Sequence, residues 1–153
     1  MGNLASPQHS VSVAGIVFDD SDRILAVQRR DNAHWEPPGG VLELNETFEA
    51  GVAREIFEET GVRVEVNALT GVYKNMPRQI VALVYRCRPV SGTAHETAES
   101  QNSKWLTLSE VSELMTPAFA IRVFDALEDS PASRSHNGHQ IDTAPPTIPT
   151  RLG

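Results

Sequence analysis

Three glutamates stand at helical spacing near the middle of the chain. Glu55 is followed three and four residues later by Glu58 and Glu59, so on an α-helix Glu55 shares a face with both. Like charges at this spacing repel one another while the site is empty. Hard divalent cations such as Mg²⁺ or Mn²⁺ bind oxygen ligands of this kind. The spacing therefore predicts a metal site on one face of a helix.

The residues on either side of these glutamates predict a loop that leads into a helix. Residues 37–40 read Pro-Pro-Gly-Gly, a run that cannot be helical. Thr47 is suited to cap the start of a helix and Gly61 to end it. Gly51 indicates close packing, because glycine inside a helix costs about 1 kcal/mol relative to alanine. The expected buried stripe is Phe48, Val52, Ala53 and Ile56.

Residues 40–62 resemble the signature of the Nudix hydrolases. That signature is a glycine, five residues, a glutamate, seven residues, and then Arg-Glu-apolar-any-Glu-Glu-any-Gly-apolar. In coarse layout the resemblance covers residues 10–128, and it implies the Nudix α/β/α sandwich with a mixed β-sheet on which the acidic helix packs. The fixed positions are all matched, by Gly40, Glu46, Arg54, Glu55, Ile56, Glu58, Glu59, Gly61 and Val62.

The resemblance also implies an activity. MutT-like enzymes of this family hydrolyse a pyrophosphate bond in a nucleoside diphosphate linked to another moiety, such as the nucleotide sugar ADP-ribose, or in a nucleoside triphosphate. A divalent cation suits this chemistry because it neutralises charge, orients the phosphates and can activate water. Arg54 would orient the acidic cluster for catalysis, and Glu46 would support the junction of loop and helix. The implied ligands of Mg²⁺ or Mn²⁺ are Glu55, Glu58, Glu59 and the carbonyl of Gly39.

The general base is left open between the acidic helix and a later loop. Glu99 lies six residues before Trp105, where many members of the family carry a glutamate. Because a metal-bound carboxylate is a poor proton acceptor, Glu99 is the preferred base, or it holds a further metal. Glu96 is the alternative in the same loop, and Glu58 is the candidate within the helix.

Four residues are candidates for substrate binding. Arg29 and Arg30 stand just before the Gly-rich loop, where they could face phosphates or be solvated. Trp35 could stack on a base, although packing is the preferred interpretation. Gly40 belongs to a backbone loop of the kind that accommodates a diphosphate.

Two other protein classes share the implied fold. A non-catalytic Nudix-like domain that binds nucleotides for regulation would lose metal ligands, and none is missing here. Isopentenyl diphosphate isomerases protonate carbon with a catalytic cysteine. Cys87, the only cysteine, falls in a predicted strand outside the motif, which argues against an isomerase.

Composition limits the partners and the location. A chain of 153 residues is one domain with a sizeable core. The formal net charge of −7 argues against a nucleic-acid binder but leaves a small nucleotide substrate open. One cysteine and no apolar spanning run predict a cytoplasmic protein without membrane attachment. A homodimer remains open.

The remaining elements follow from periodicity and turn signals. Residues 10–18 and 23–28 are expected to be strands that pair as an antiparallel hairpin. The later expected elements are strands at 62–69, 71–73 and 79–90, and helices at 110–115 and 117–127. Strands interleaved with helices indicate an α/β protein with a mixed sheet.

The predicted domain covers residues 10–128, between a flexible segment, 1–9, and a polar tail, 129–153. The tail is rich in proline, serine and threonine and lacks apolar periodicity, so we expect it to take no part in catalysis. It could dock on the body, on a partner subunit or on a neighbouring molecule in a crystal. His136 and His139 are three residues apart in it. Without a third ligand nearby they are weak metal candidates.

Overall fold

The computed structural model describes residues 6–142, which form two β-sheets and three α-helices. The strands are β1 (Ser10–Val17), β2 (Ile24–Arg29), β3 (Trp35–Glu36), β4 (Gly39–Val41), β5 (Arg63–Asn75), β6 (Ile80–Ser91), β7 (Ser100–Leu106) and β8 (Ala132–His136). The helices are α1 (Phe48–Thr60), α2 (Leu108–Leu114) and α3 (Pro117–Asp125). Residues 1–5 of the predicted flexible segment 1–9, and residues 143–153 of the predicted tail 129–153, lie outside the described residues.

The larger sheet is mixed, as predicted. Its strand order is β4-β1-β6-β5-β8. The β1–β6 and β5–β8 pairs are parallel, whereas β1–β4 and β5–β6 are antiparallel. The smaller sheet, of order β3-β2-β7, is antiparallel. The α/β class expected from the order of elements is therefore confirmed.

The predicted hairpin between the first two strands is wrong. β1 and β2 belong to different sheets, and the turn between them carries only an isolated bridge from Phe18 to Ile24. Residues 13–17 of β1 and 24–27 of β2 are buried on both faces. Burial on both faces shows that each strand has packing partners above and below it, but it does not show which strand lies beside it in a sheet.

The hydrophobic core has two layers, one on each face of the sheets. Along β1, Val13 and Val17 point toward Val52 and Ile56 of α1, whereas Ala14 and Ile16 belong to the cluster that includes α2 and α3. The alternation of side chains along a strand divides these residues between the faces. Helices therefore cover both faces of the sheets.

Helix α1 begins and ends where its local signals predict. The hydroxyl of Thr47 accepts a hydrogen bond from the Ala50 amide at 3.1 Å, and Gly61 has φ of 81°. Gly51 is closely packed, because an added Cβ would lie 2.7 Å from Leu42 Cδ1. Phe48 was expected in the buried stripe but is 42% exposed. The buried face of the helix begins one turn later, at Gly51.

Helices α2 and α3 confirm the two short helices expected near residue 110 and after Pro117. Thr107 caps α2 in a reciprocal capping box with Glu110, and Pro117 occupies the first turn of α3. The loop that carries Glu96 and Glu99 ends where β7 begins, at Ser100. None of the helices among residues 6–142 is both long and apolar enough to span a membrane.

The first part of the predicted tail contributes strand β8, which pairs with β5. Arg134 makes two hydrogen bonds of 2.8 Å to the buried Asp125, which also accepts from the Tyr73 hydroxyl at 2.7 Å. A bidentate arginine–carboxylate contact is strong and directional. Polar pairing rather than an apolar stripe therefore holds this segment on the body. His136 is buried and His139 is exposed.

Candidate metal and catalytic site

Three carboxylates converge beside helix α1. One oxygen each of Glu55, Glu58 and Glu99 lies within 4.8 Å of the other two. Glu55 and Glu58 come from adjacent turns of α1, and Glu99 from the loop before β7. An all-oxygen, anionic donor set fits Mg²⁺ or Mn²⁺. The group differs from the predicted trio, because Glu99 takes the third place and Glu59 lies outside it.

Glu59 turns instead toward the Gly-rich loop. Its Oε1 accepts a hydrogen bond from the Gly39 amide at 2.7 Å. Burial raises the pKa of this carboxyl to about 8, with the Gly39 amide opposing and Glu55, Glu36 and Glu99 adding to the rise. A cation at this carboxyl would therefore compete with a proton. The contact seen here uses the amide of Gly39, and metal binding by its carbonyl stays a prediction.

Arg54 links the metal-site glutamates to the loop before the helix. It forms hydrogen bonds of 2.9 and 2.6 Å to the two oxygens of Glu46. Its Nη1 donates to Glu55 at 2.9 Å and to Glu58 at 3.2 Å. The hydrogen bond with Arg54 lowers the pKa of Glu46 to about 2. One guanidinium thus offsets the charge of two clustered carboxylates while a third anchors it.

Gly40 permits the loop to approach the acidic helix. A Cβ at this position would lie 2.6 Å from the carboxyl carbon of Glu55. Glu55 is 9% exposed, and burial raises the pKa of its carboxyl, whereas Arg54 lowers it. A side chain at Gly40 would push this carboxylate out of place.

The loop that carries Glu99 is fixed to the end of α1. Three hydroxyls reach the Glu59 carbonyl, from Ser100 at 2.6 Å and from Thr97 and Ser103 at 3.3 Å each. Carbonyls in the last turn of a helix have no partner within the helix, and these hydroxyls supply one. Glu99 is held over α1 as a result, whereas Glu96, in the same loop, lies outside the carboxylate group formed by the described residues.

Two of the three clustered carboxylates, Glu55 and Glu99, line a cavity of about 460 Å³ with two arginines on its wall. Arg29 pairs with Asp31 at 2.7 Å and with Glu36 at 3.3 Å. Arg30 donates to the Thr97 carbonyl. A second cavity of about 200 Å³ shares Arg29 and the Gly-rich loop with the first. Acidic and basic walls in one cavity suit a phosphate chain bridged to the carboxylates by cations.

Trp35 lies in β3 and packs against the core cluster that includes α2 and α3. It lines neither of these two cavities, in keeping with the preferred packing interpretation. Cys87 is 2% exposed, and burial raises the pKa of its thiol to about 12. A buried, protonated thiol away from the carboxylates does not fit the chemistry of an isomerase.

The second cavity brings together residues for which the sequence predicted no shared site, and only His136 had been considered, as a weak metal candidate. Glu36, Tyr73, Phe119, Arg122 and His136 come from four elements, since Phe119 and Arg122 both lie in α3. One signal was available, since Arg122 interrupts the apolar face of a short helix. The others carry no local pattern, because the packing of sheet and helices alone brings them together.

Comparisons with known proteins agree with this geometry. The NUDIX domain model matches residues 8–127. A MutT-like protein of Streptomyces ambofaciens is 57% identical and aligns over 88% of each chain. A putative 8-oxo-dGTP diphosphatase of Bacillus subtilis is 32% identical over 67% of this chain and 69% of its own. An ADP-ribose pyrophosphatase of Methanocaldococcus jannaschii is 30% identical over 69% and 66%.

The fold is also similar to that of a solved structure. The crystal structure of a NUDIX hydrolase from Nitrosomonas europaea superposes with a TM-score of 0.71 at 23% identity, covering 85% of this chain and 79% of that one. The predicted Nudix α/β/α sandwich is thereby confirmed. The chain belongs to the Nudix family, as a Nudix hydrolase.

Proposed function

We propose that this Nudix hydrolase cleaves the pyrophosphate bond of a nucleoside diphosphate linked to another moiety, with Mg²⁺ or Mn²⁺ as cofactor. The observation that carries this proposal is the convergence of Glu55, Glu58 and Glu99 within 4.8 Å. Glu55 and Glu99 line a cavity whose wall also holds Glu59, Arg29 and Arg30. Clustered carboxylates favour a bound cation, and both cations and arginines bind phosphates.

Each residue of the carboxylate site has a proposed role. Glu55 and Glu58 would hold the metal, with Glu59 and the Gly39 carbonyl as further ligands. When bound, the cation supplies charge neutralisation at the phosphates and activation of water. Arg54 keeps the carboxylates oriented through its bonds to Glu55, Glu58 and Glu46.

Glu99 is the proposed general base, or the ligand of a further metal. Water attacks one phosphorus atom, and the bridging P–O bond breaks with its electron pair on the departing phosphate. The proton of the water passes to a carboxylate. The hydrogen bond from Ser100 to the Glu59 carbonyl, which fixes the neighbouring loop, supports Glu99 in this role. A base must reach the attacking water directly, at about 3 Å, or through one bridging water.

Two kinds of substrate fit this reaction. One is a nucleotide sugar such as ADP-ribose, and the other is a nucleoside triphosphate. The names of the two relatives at 30% and 32% identity support one kind each. A small-molecule nucleotide, rather than a nucleic acid, also agrees with the net charge of −7. A cytoplasmic location and a homodimer stay predictions.

A panel of nucleotides tests the proposal. Purified protein with Mg²⁺ is given ADP-ribose, UDP-glucose, dGTP and 8-oxo-dGTP, and the products are separated by chromatography. We expect at least one compound to yield a nucleoside monophosphate, together with a phosphorylated second product. Failure to cleave any of the four at high protein concentration would contradict the proposed reaction.

A further inference from the structure

The smaller cavity is a recess beside the proposed phosphate site. Its volume of about 200 Å³ is below the roughly 300–1,000 Å³ typical of sites for drug-sized ligands. One ring system fits it better than a whole nucleotide. It adjoins the larger cavity through Arg29, Gly39 and Gly40, so a group within it would be attached to the phosphates beside the carboxylates.

Arg122 is a buried cation at the wall of this recess. It is 6% exposed, and its guanidinium lies between two rings, 4.8 Å from the centre of Tyr73 and 4.7 Å from that of Phe119. Among residues 6–142, it forms no ion pair. The nearby Asp125 is occupied by Arg134 and Tyr73. Burying a charge without a paired partner is costly, so a ligand acceptor here would be well stabilised.

The imidazole of His136 lies between two hydrogen-bond donors beside Arg122. Its Nε2 lies 3.2 Å from Arg122 Nη2, and its Nδ1 lies 3.0 Å from the Gly138 amide. Both neighbours can only donate, whereas a neutral imidazole has one acceptor nitrogen. In either tautomer, the protonated ring nitrogen of His136 faces an N–H group, from Arg122 or from Gly138. Arg122 and His136 together therefore have more hydrogen-bond donors than acceptors.

Glu36 supplies the opposite chemistry in the same recess. Its Oε1 accepts from Arg29 at 3.3 Å, while its Oε2 accepts no hydrogen bond from the described part of the chain. The recess therefore offers surplus donors at Arg122 and His136 and a free acceptor at Glu36. A ring that carries a carbonyl beside a ring N–H complements both. Adenine does not complement the recess, because the corresponding edge of its ring carries an amino group, which donates, and an unprotonated ring nitrogen, which accepts.

We propose that the recess selects oxo-substituted bases, with Arg122 and His136 donating to the base carbonyl and Glu36 accepting from the adjacent ring N–H. This assignment rests on the proposed hydrolysis of nucleotides and specifies their base. It also makes β8 part of the substrate site, because His136 is its last residue. The C-terminal segment then determines specificity, while the carboxylates on α1 and its covering loop carry the reaction.

Inosine and adenosine nucleotides test the assignment, since their bases differ only in this edge. We would measure kcat/KM for inosine and adenosine triphosphates and for the two diphosphate riboses, with Mg²⁺. The expected preference for inosine is at least tenfold in whichever form is cleaved. His136→Ala and Arg122→Met should reduce that preference to about threefold or less. Ser133→Ala is the matched control, because Ser133 is exposed on the same strand.

The possible outcomes separate the two proposals. Equal rates for inosine and adenosine in the wild type, or faster cleavage of ADP-ribose, overturn the base assignment and leave the hydrolase intact. A preference that survives in folded His136→Ala also overturns it. If neither nucleotide is cleaved in either form, the proposed function fails and the assignment with it. The wild-type ratio decides even where a variant does not fold.

Discussion

At the scale of the residue, charge compensation organises the site. Arg54 holds Glu46 with one side of its guanidinium and reaches Glu55 and Glu58 with Nη1. This contact keeps two carboxylates near one another without a bound cation. Their spacing on the helix was readable from the sequence, because it depends only on helical geometry. The position of Glu99 beside them depends on a distant loop, and only the resemblance pointed to it.

Removing one carboxylate charge at a time tests the proposed ligands. Glu58→Gln and Glu59→Gln keep the shape of the side chain but weaken its hold on a cation. We expect kcat to fall by on the order of 10²-fold or more, with an unchanged circular dichroism spectrum. Glu49→Gln is the control, since Glu49 is exposed on the same helix. Near wild-type rates in both test variants would refute their role as ligands.

The loop glutamates give a second comparison. Glu99→Gln should lower kcat strongly and leave KM nearly unchanged, the pattern of a group used mainly in the transition state. Glu96→Gln, in the same loop, should have much less effect, because it lies outside the carboxylate group. Reversal of the two effects in steady-state kinetics would transfer the role to Glu96. If neither matters, the base lies on α1, with Glu58 first.

The reactivity of the Cys87 thiol at a given pH is a further test at the scale of the residue. Burial raises the pKa of its thiol to about 12, so the thiol stays protonated through neutral and mildly alkaline pH. Because the thiolate is the reactive form, labelling by a disulfide reagent at pH 8 should be slow in the folded protein and fast in denaturant. Rapid labelling of the native protein at pH 8 would show an accessible thiolate and contradict its burial.

At the scale of the element, sequence signals succeeded where they were local. The cap at Thr47 and the terminator at Gly61 set both ends of α1. The pairing of β1 and β2 failed, because alternation shows that a strand exists but does not show which sheet receives it. Strand β8 was unexpected for a similar reason. Its stability comes from hydrogen bonds to distant residues, which composition does not reveal.

The anchor of β8 can be weakened by one substitution. Arg134→Ala removes two hydrogen bonds to the buried Asp125. Hydrogen bonds to charged groups contribute about 1.5–3 kcal/mol each, and the partial exposure of Arg134 reduces that figure. We expect the free energy of unfolding in urea to fall by about 1–3 kcal/mol. Ser133→Ala should change it little, and equal effects of the two would contradict an anchor at Arg134.

At the scale of the whole molecule, the site lies where separate parts of the chain meet. Helix α1 brings the ligands, the loop before β7 brings Glu99, and the edge strand β8 brings His136. The motif located the first of these within residues 40–62. The recess around Arg122 has no such motif, since its lining comes from a sheet and a helix that are far apart in sequence. The helix glutamates proposed for metal binding were therefore readable from the sequence, whereas the recess proposed for specificity required the fold.

The dependence of hydrolysis on a divalent cation tests the central claim most directly. Protein freed of metal is assayed in excess chelator against a nucleotide that it cleaves, and Mg²⁺ or Mn²⁺ is then added back above the chelator. With Glu55, Glu58 and Glu99 within 4.8 Å of one another, we expect hydrolysis to disappear in chelator and to return with either cation. Full activity in excess chelator would contradict the assignment of these carboxylates as a metal site.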